Sequence, residues 1–232
     1  MAPLKQHPDR RTLWSAYAIG LFGMGYIDVF TFLIPLYALD LKMSATEVGM
    51  LVGFRTVLTL LFSIHVGTLM DRFGTLRVMK ICCLVAMVLA PVYPMTESFW
   101  GLVALQIVVS GAVSFGWSGG QTLIAQITGG DAEYIGRVSF ASRVGTTVAP
   151  LVAGAMWDFG GAWPSYLLGC GWGIVLLVTL YLAPVTAEIS GTETSIARRV
   201  RIREILPRLE DYVRSFAMMA VPVVAISMAL MF

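Results

Sequence analysis

Two charged residues of opposite sign, Asp28 and Arg55, lie within long apolar stretches, in the segments GYIDVFTF and VGFRTVL. A charge inside a membrane-length apolar segment costs about 2.5–3.5 kcal/mol or more, so such residues are functional candidates by default. Burial favours the neutral form of a carboxyl group, and a nearby guanidinium favours the charged form. A movement of Arg55 would therefore change the proton affinity at Asp28, which makes this pair a candidate for proton coupling. The alternatives are a static ion pair that joins two helices, or a position near the outer interface.

The elements that carry these residues belong to a series of long apolar blocks. Hydrophobic residues make up 57% of the 232-residue chain and charged residues 13%, whereas a soluble domain carries roughly 25% charged residues. Blocks of about 18 or more apolar residues can cross a bilayer, and helices satisfy their own backbone hydrogen bonds there. The sequence therefore predicts an all-α polytopic membrane protein. Its spans are approximately 13–38, 46–70, 77–96, 99–127, 139–157 and 164–184, with a short seventh at 216–232.

Arginine and lysine residues concentrate in alternate loops of this topology. They precede the first span and lie between spans two and three, four and five, and six and seven, whereas the other loops contain Lys42 alone. The residues are Lys5, Arg10, Arg11, Arg72, Arg77, Lys80, Arg137, Arg198, Arg199, Arg201, Arg203, Arg208 and Arg214. Because cytoplasmic loops collect basic residues, we predict that residues 1–12 are cytoplasmic and that the protein is integral to a plasma membrane, the bacterial inner membrane.

Asp28 and Arg55 are predicted at the same membrane depth. The chain has 17 residues from Arg11 to Asp28 and 16 from Arg55 to Asp71. At 1.5 Å per residue, both side chains lie roughly 24–26 Å from the cytoplasmic side. They could therefore pair across adjacent helices, which would relieve most of the desolvation cost.

One long polar stretch, residues 185–215, follows the sixth span. Ile196, Val200, Ile205 and Leu209 are spaced for one helical face, with arginines opposite. This pattern predicts a helix on the inner membrane surface that is attracted to anionic lipid and is bent by Pro207. A solvated linker is the alternative.

An internal repeat links two short segments, GTLMDRFG at 67–74 and GAMWDFGG at 154–161. In each, a glycine is followed by Asp at +4 and Gly at +7. The first segment joins spans two and three, and the second joins spans five and six. Two three-helix repeats would produce this arrangement, and the second repeat would be inverted in the membrane because three is odd. Inverted repeats are common in transporters, which bind substrate near the midplane between repeats.

The first segment resembles the loop between helices two and three of the major facilitator superfamily of secondary transporters. That loop has the form G-x-L-x-D-R-x-G followed by two basic residues, and the positions that match it are Gly67, Leu69, Asp71, Arg72 and Gly74. Thr75 and Leu76 replace the basic pair, and the next base is Arg77. The resemblance implies a charge cluster that latches one conformation of the transporter. The alternative is a topology signal and helix cap.

The fifth span is similar to a motif of drug:proton antiporters in this superfamily, G-x8-G-x3-G-P-x2-G-G. Gly136, Gly145, Pro150 and Gly154 match, and alanines replace two of its glycines, at 149 and 153. Small residues let helices approach closely, and the proline bends the helix. The resemblance favours export.

Further polar residues in the spans are candidates for the wall of a substrate cavity. Ser114, Trp117 and Gln121 share one face of the fourth span by i, i+3, i+7 spacing, which suits an amphipathic solute. Helix–helix packing is the alternative. Arg143 could be a second cavity charge or could extend to the cytoplasmic interface. His65 could titrate near neutrality or pack as a hydrogen-bonded histidine.

The resemblance covers residues 13–184, the six-helix N-terminal half of a twelve-helix transporter. It implies transport of a small solute by alternating access, coupled to protons and directed towards efflux, with the lipid bilayer as partner. The alternative is a non-transporting scaffold, or a half-transporter that pairs with a second six-helix half or with a second copy. No enzyme motif occurs. No cofactor, metal site or nucleic-acid partner is predicted, since Cys82, Cys83 and Cys170 lack ligand spacing.

Overall fold

The computed structural model describes residues 9–183, and every regular element in that range is helical. The helices are α1 Arg10–Asp40, α2 Ala45–Phe54, α3 Val57–Phe73, α4 Thr75–Leu89 with a 3-10 extension Ala90–Met95, α5 Phe99–Thr128, α6 Ala132–Gly160 and α7 Ala162–Leu182. The prediction of an all-α polytopic membrane protein is confirmed. The predicted surface helix within 185–215 and the predicted span at 216–232 lie outside the described residues.

The second predicted span is two helices rather than one. Helix α2 ends at Phe54 and α3 begins at Val57, so the break falls at Arg55 and Thr56. Gly49 and Gly53 precede the break, and glycine in a helix interior costs roughly 1 kcal/mol relative to alanine. The sequence predicts one continuous span, and these two glycines weaken the helix just before the interruption.

Five segments in the described range are long and apolar enough to cross a membrane. They are Arg10–Asp40, Ala45–Phe62, Thr75–Met95, Phe99–Thr128 and Ala162–Leu182. Helix α6 has 29 residues but is not among them, because polar residues, among them Arg143, Thr146 and Thr147, lie in its middle. It corresponds to the predicted fifth span and packs against α1 as part of the same bundle.

Helix α1 is central, with α5, α6 and α7 packed around it. Its glycines allow the closest approaches: a Cβ on Gly25 would lie 2.6 Å from the ring of Trp172 on α7. A Cβ on Gly145 of α6 would lie 2.0 Å from the carbonyl oxygen of Leu21 on α1. No side chain larger than hydrogen fits at these two crossings, so the glycines set the distance between α1 and its neighbours.

An aromatic cluster joins α1, the 3-10 extension and α7. Tyr93 stacks on Tyr166 with ring centroids 4.9 Å apart, and Tyr37 meets Tyr166 edge to face at 5.9 Å. The hydroxyl of Tyr93 donates to Oε1 of Gln106 on α5 at 3.0 Å. This buried, hydrogen-bonded cluster fixes the helix ends on which the rest of the bundle packs.

Candidate functional site: a polar cleft at a helix break

The break between α2 and α3 is a short turn that ends one helix and starts another. The backbone N–H of Thr56 donates to the carbonyl of Gly53 at 3.2 Å, and its hydroxyl donates to the same oxygen at 3.0 Å. Thr56 therefore closes the turn behind it, and its side chain does not cap α3. Arg55 is held at this turn, between the end of α2 and the first residue of α3.

Arg55 reaches across to α1. Its Nη1 donates to Oγ1 of Thr31, and the Thr31 hydroxyl in turn donates to the carbonyl oxygen of Ile27 at 2.8 Å. The guanidinium lines a small open cleft between α1, the helix break and α5. The other residues that line it are Ile27, Phe30, Thr31, Ser110, Val113 and Ser114. The cleft combines a cation and hydroxyl groups with an apolar wall.

Asp28 is half-buried on α1, three residues before Thr31. Its Oδ2 atom is buried and has no hydrogen-bond partner among the described residues. Within the same part of the chain, no ion pair of 4.0 Å or less joins Asp28 to Arg55. The expected pairing is thus not formed in this structure, because the guanidinium bonds the threonine that lies almost one helical turn further along α1.

The three α5 candidates do not share one site. Ser114 lines the cleft with Arg55, whereas Trp117 packs on Gly23 and lines a separate, mainly apolar pocket between α1, α4, α5 and α7. Gln121 is exposed. The i, i+3, i+7 spacing places all three on one side of the helix, but the neighbouring helices divide that side into different environments.

The candidate latch lies at the start of α4 and the end of α3. Leu69, Asp71, Arg72 and Arg77 are all exposed, and within residues 9–183 the acid has no ion-pair partner. The Arg72 guanidinium lies 5.3 Å from the centroid of the Phe73 ring. The charges of this loop therefore point away from the described bundle.

The two glycines of the latch differ in what they do. Gly74 makes the turn, with φ 87° and ψ 133°, a conformation that side-chain-bearing residues rarely adopt. A Cβ on Gly67, by contrast, would have no described atom within 4 Å. Nearby, the His65 ring lies 5.7 Å from that of Phe62.

The candidate residues of the fifth span are distributed along α6. Gly145 contacts the backbone of α1, and a Cβ on Gly154 would lie 3.5 Å from the Phe32 ring. Pro150 lies inside the helix between them. Gly136 and Arg143 are exposed. Among these residues, Gly145 and Gly154 are therefore the positions that pack closely against α1.

Two cleft residues, Thr31 and Ser110, were missed by sequence reasoning. Ser110 is 5% exposed and lies one helical turn before Ser114 on α5. The i, i+4 spacing of two serines and the i, i+3 spacing of Asp28 and Thr31 were available signals. Hydroxyl residues are so common at helix–helix contacts in membranes that spacing alone does not select them.

The described residues form a helical membrane bundle with a charged cleft at a helix break, an arrangement that occurs in transporters. A family model described as Major Facilitator Superfamily matches residues 13–232. The chain therefore belongs to the major facilitator superfamily, whose members are transporters, and it is an integral membrane protein that functions in the transport of a solute. A comparison with curated proteins finds no match.

Proposed function

We propose that this protein moves a small solute by alternating access, and that the movement is coupled to protons at Asp28. The observation that carries the proposal is the buried Oδ2 of Asp28, which has no partner among the described residues. A charged oxygen in this position is costly, and binding a proton removes the charge. An intramembrane acid without a fixed partner is what a proton carrier requires.

The coupling step that we propose is an exchange of partners by Arg55. Thr31 and Asp28 are three residues apart on α1, so they lie on adjoining parts of one helix face. In the structure Arg55 bonds Thr31, and no described ion pair joins it to Asp28. In the proposed exchange the guanidinium turns from the Thr31 hydroxyl to the Asp28 carboxyl group.

We further propose that Asp71, Arg72 and Arg77 act as the conformational latch. All three are exposed, on the cytoplasmic side that the distribution of basic residues predicts. Their partners in this proposal belong to a surface beyond the described bundle. Gly145 and Pro150, which match the antiporter motif, support efflux as the direction of transport.

The experiment is flux driven by a pH gradient in proteoliposomes that contain the purified chain, with a panel of lipophilic cations and small acids. Asp28→Asn is expected to reduce gradient-driven flux to that of empty liposomes. Asp40→Asn, at the exposed end of the same helix, is the matched control and is expected to retain flux. Full flux in Asp28→Asn would refute proton coupling at this residue.

A second candidate function is that of one half of an assembled transporter. Two long polar side chains, Gln121 on α5 and Arg143 on α6, are exposed, whereas the hydroxyls of Ser118, Thr122 and Thr147 donate to carbonyl groups of their own helices. Hydrocarbon cannot satisfy the amide and the guanidinium, so a second six-helix half or a second copy would cover them around a water-filled cavity.

The two candidates differ in what the chain does alone. If a second copy covers these polar side chains, light scattering of the detergent-solubilised protein should give the mass of a dimer. A monodisperse monomer without flux for any solute would favour a separate half, or a scaffold that does not transport.

A further inference from the structure

We propose that the cleft around Arg55 is an anion subsite that takes the carboxylate of a small amphipathic organic acid. This inference deepens the proposed transport function and rests on it for its physiological meaning. The site and its ligand class, however, follow from the cleft itself and can be tested by binding alone.

The guanidinium of Arg55 has donors to spare. Arginine carries several N–H donors in a planar fork that matches a carboxylate, and one hydrogen bond, to Thr31, is present among the described residues. No described carboxylate lies within 4.0 Å of it. A membrane-embedded cation without a counter-ion is costly, and a bidentate carboxylate ligand would neutralise it.

The hydroxyls of the cleft add to this preference. Thr31 uses its proton on the carbonyl of Ile27, so its oxygen faces the arginine as an acceptor. Ser110 and Ser114 lie on the α5 side of the same cleft, and each hydroxyl can donate a hydrogen bond to an anion. One wall therefore offers a cation and the other offers donors.

The remaining walls indicate an organic anion. Ile27, Phe30 and Val113 line the cleft beside the polar groups, and these surfaces favour an apolar group attached to the carboxylate. A cation would face the charge of Arg55. An inorganic anion would leave the apolar walls without a complementary surface.

The test is equilibrium binding of 4-fluorobenzoate to the full chain in phosphatidylcholine nanodiscs, measured by fluorine NMR. The neutral 4-fluorobenzamide and the cationic 4-fluorobenzylamine are the charge controls and should bind at least about tenfold more weakly, as expected for a charged hydrogen bond. Arg55→Gln should weaken 4-fluorobenzoate about 10- to 100-fold. Arg137→Gln, on the exposed start of α6, should leave it unchanged.

A second pair of variants guards against misfolding of Arg55→Gln. Ser110→Ala and Ser114→Ala keep the charge of Arg55 and should each weaken binding about tenfold or more, as expected for one hydrogen bond to a charged acceptor. Equal affinity in the parent chain and in folded Arg55→Gln would overturn the proposal. Equal affinity for the acid and the amide would overturn it as well, and so would undetectable binding of 4-fluorobenzoate to the parent chain.

Competition with inorganic phosphate tests whether the cleft prefers an amphipathic carboxylate or binds any anion. Competition by phosphate at the same concentration as 4-fluorobenzoate would refute the amphipathic part of the inference. Binding without flux would leave the subsite standing while contradicting transport by the chain alone. Flux that is insensitive to Arg55→Gln would contradict the subsite while leaving transport standing.

Discussion

The two three-helix blocks of the bundle have nearly equal dimensions and different second helices. Helices α1 and α5 have 31 and 30 residues, and the third elements, Thr75–Met95 and α7, have 21 each. Between them, the first block has α2 and α3, broken at Arg55, and the second has the continuous 29-residue α6. The second element of the first block is interrupted at Arg55, whereas α6 of the second block is continuous through Arg143.

The turns that close the second helices share a positive φ and differ in ψ. Gly74 has φ 87° and ψ 133°, Gly161 has φ 75° and ψ −148°, and each is the single residue between two helices. The N–H of Gly74 donates to the Met70 carbonyl at 2.8 Å, and that of Gly161 to the Trp157 carbonyl at 2.7 Å. The two Gly-Asp-Gly segments therefore repeat the closing hydrogen bond and the positive φ.

The difference between the blocks comes from packing. In α6, Gly145 touches the backbone of α1, whereas a Cβ on Gly49, Gly53 or Gly67 of the second span would have no described atom within 4 Å. A helix held along its length by a close neighbour stays regular, and one without that support can break where its glycines weaken it. Glycine content is similar in the second span and in α6, and the backbone contact at Gly145 has no counterpart at Gly49, Gly53 or Gly67.

The largest expected effect tests this packing difference. Gly145→Ala would place a Cβ 2.0 Å from the Leu21 carbonyl oxygen, and backbone cannot move aside as a side chain can. Overpacking of this kind costs about 1–3 kcal/mol or more in free energy of unfolding. Gly67→Ala is the matched control and should be neutral or slightly stabilising, since alanine favours helix. Thermal unfolding of both variants in detergent measures this, and equal melting temperatures would contradict it.

Much of this architecture could be predicted from the sequence, and the cleft could not. Apolar block length gives the spans, and the spacing of Gly67, Asp71 and Gly74 gives the repeat. The break at Arg55 depends on which neighbours the second span lacks, which no local pattern contains. For the same reason Arg55 was expected to pair with Asp28, the nearest opposite charge, whereas the fold places the Thr31 hydroxyl closer.

The second prediction compares the two arginines that hold related places in the repeat. Arg55 lies 12 residues before Gly67, and Arg143 lies 11 before Gly154. Arg55 is half-buried in the cleft and bonds Thr31, whereas Arg143 is exposed. Arg55→Gln should therefore lower proteoliposome flux about tenfold or more, the effect of losing one charged hydrogen bond, and Arg143→Gln should lower it less. Equal losses would mean that both arginines face the transported solute.

The third prediction concerns the two turns. An alanine at either glycine must adopt a backbone region that is nearly restricted to glycine, at a cost of about 1–3 kcal/mol. Gly74→Ala and Gly161→Ala should therefore lower the melting temperature by similar amounts, while Gly171→Ala, exposed on α7, should not. If the first turn is also part of the latch, Gly74→Ala should lower flux at a temperature where both variants are folded, and Gly161→Ala should not. A flux defect of equal size in both would remove the distinction between the turns.

The fourth prediction concerns the place where the two blocks meet, the stacked rings of Tyr93 and Tyr166. The hydroxyl of Tyr93 donates to Gln106, which is 1% exposed, whereas that of Tyr166 is buried without a partner among the described residues. Tyr93→Phe leaves the buried amide oxygen unsatisfied and should cost about 1–3 kcal/mol. Tyr166→Phe removes a hydroxyl that gains nothing and should be neutral or stabilising, with the stacking retained. Melting temperatures of the two single variants decide this, and a loss in Tyr166→Phe as large as that in Tyr93→Phe would mean that the Tyr166 hydroxyl has a bonding partner of its own.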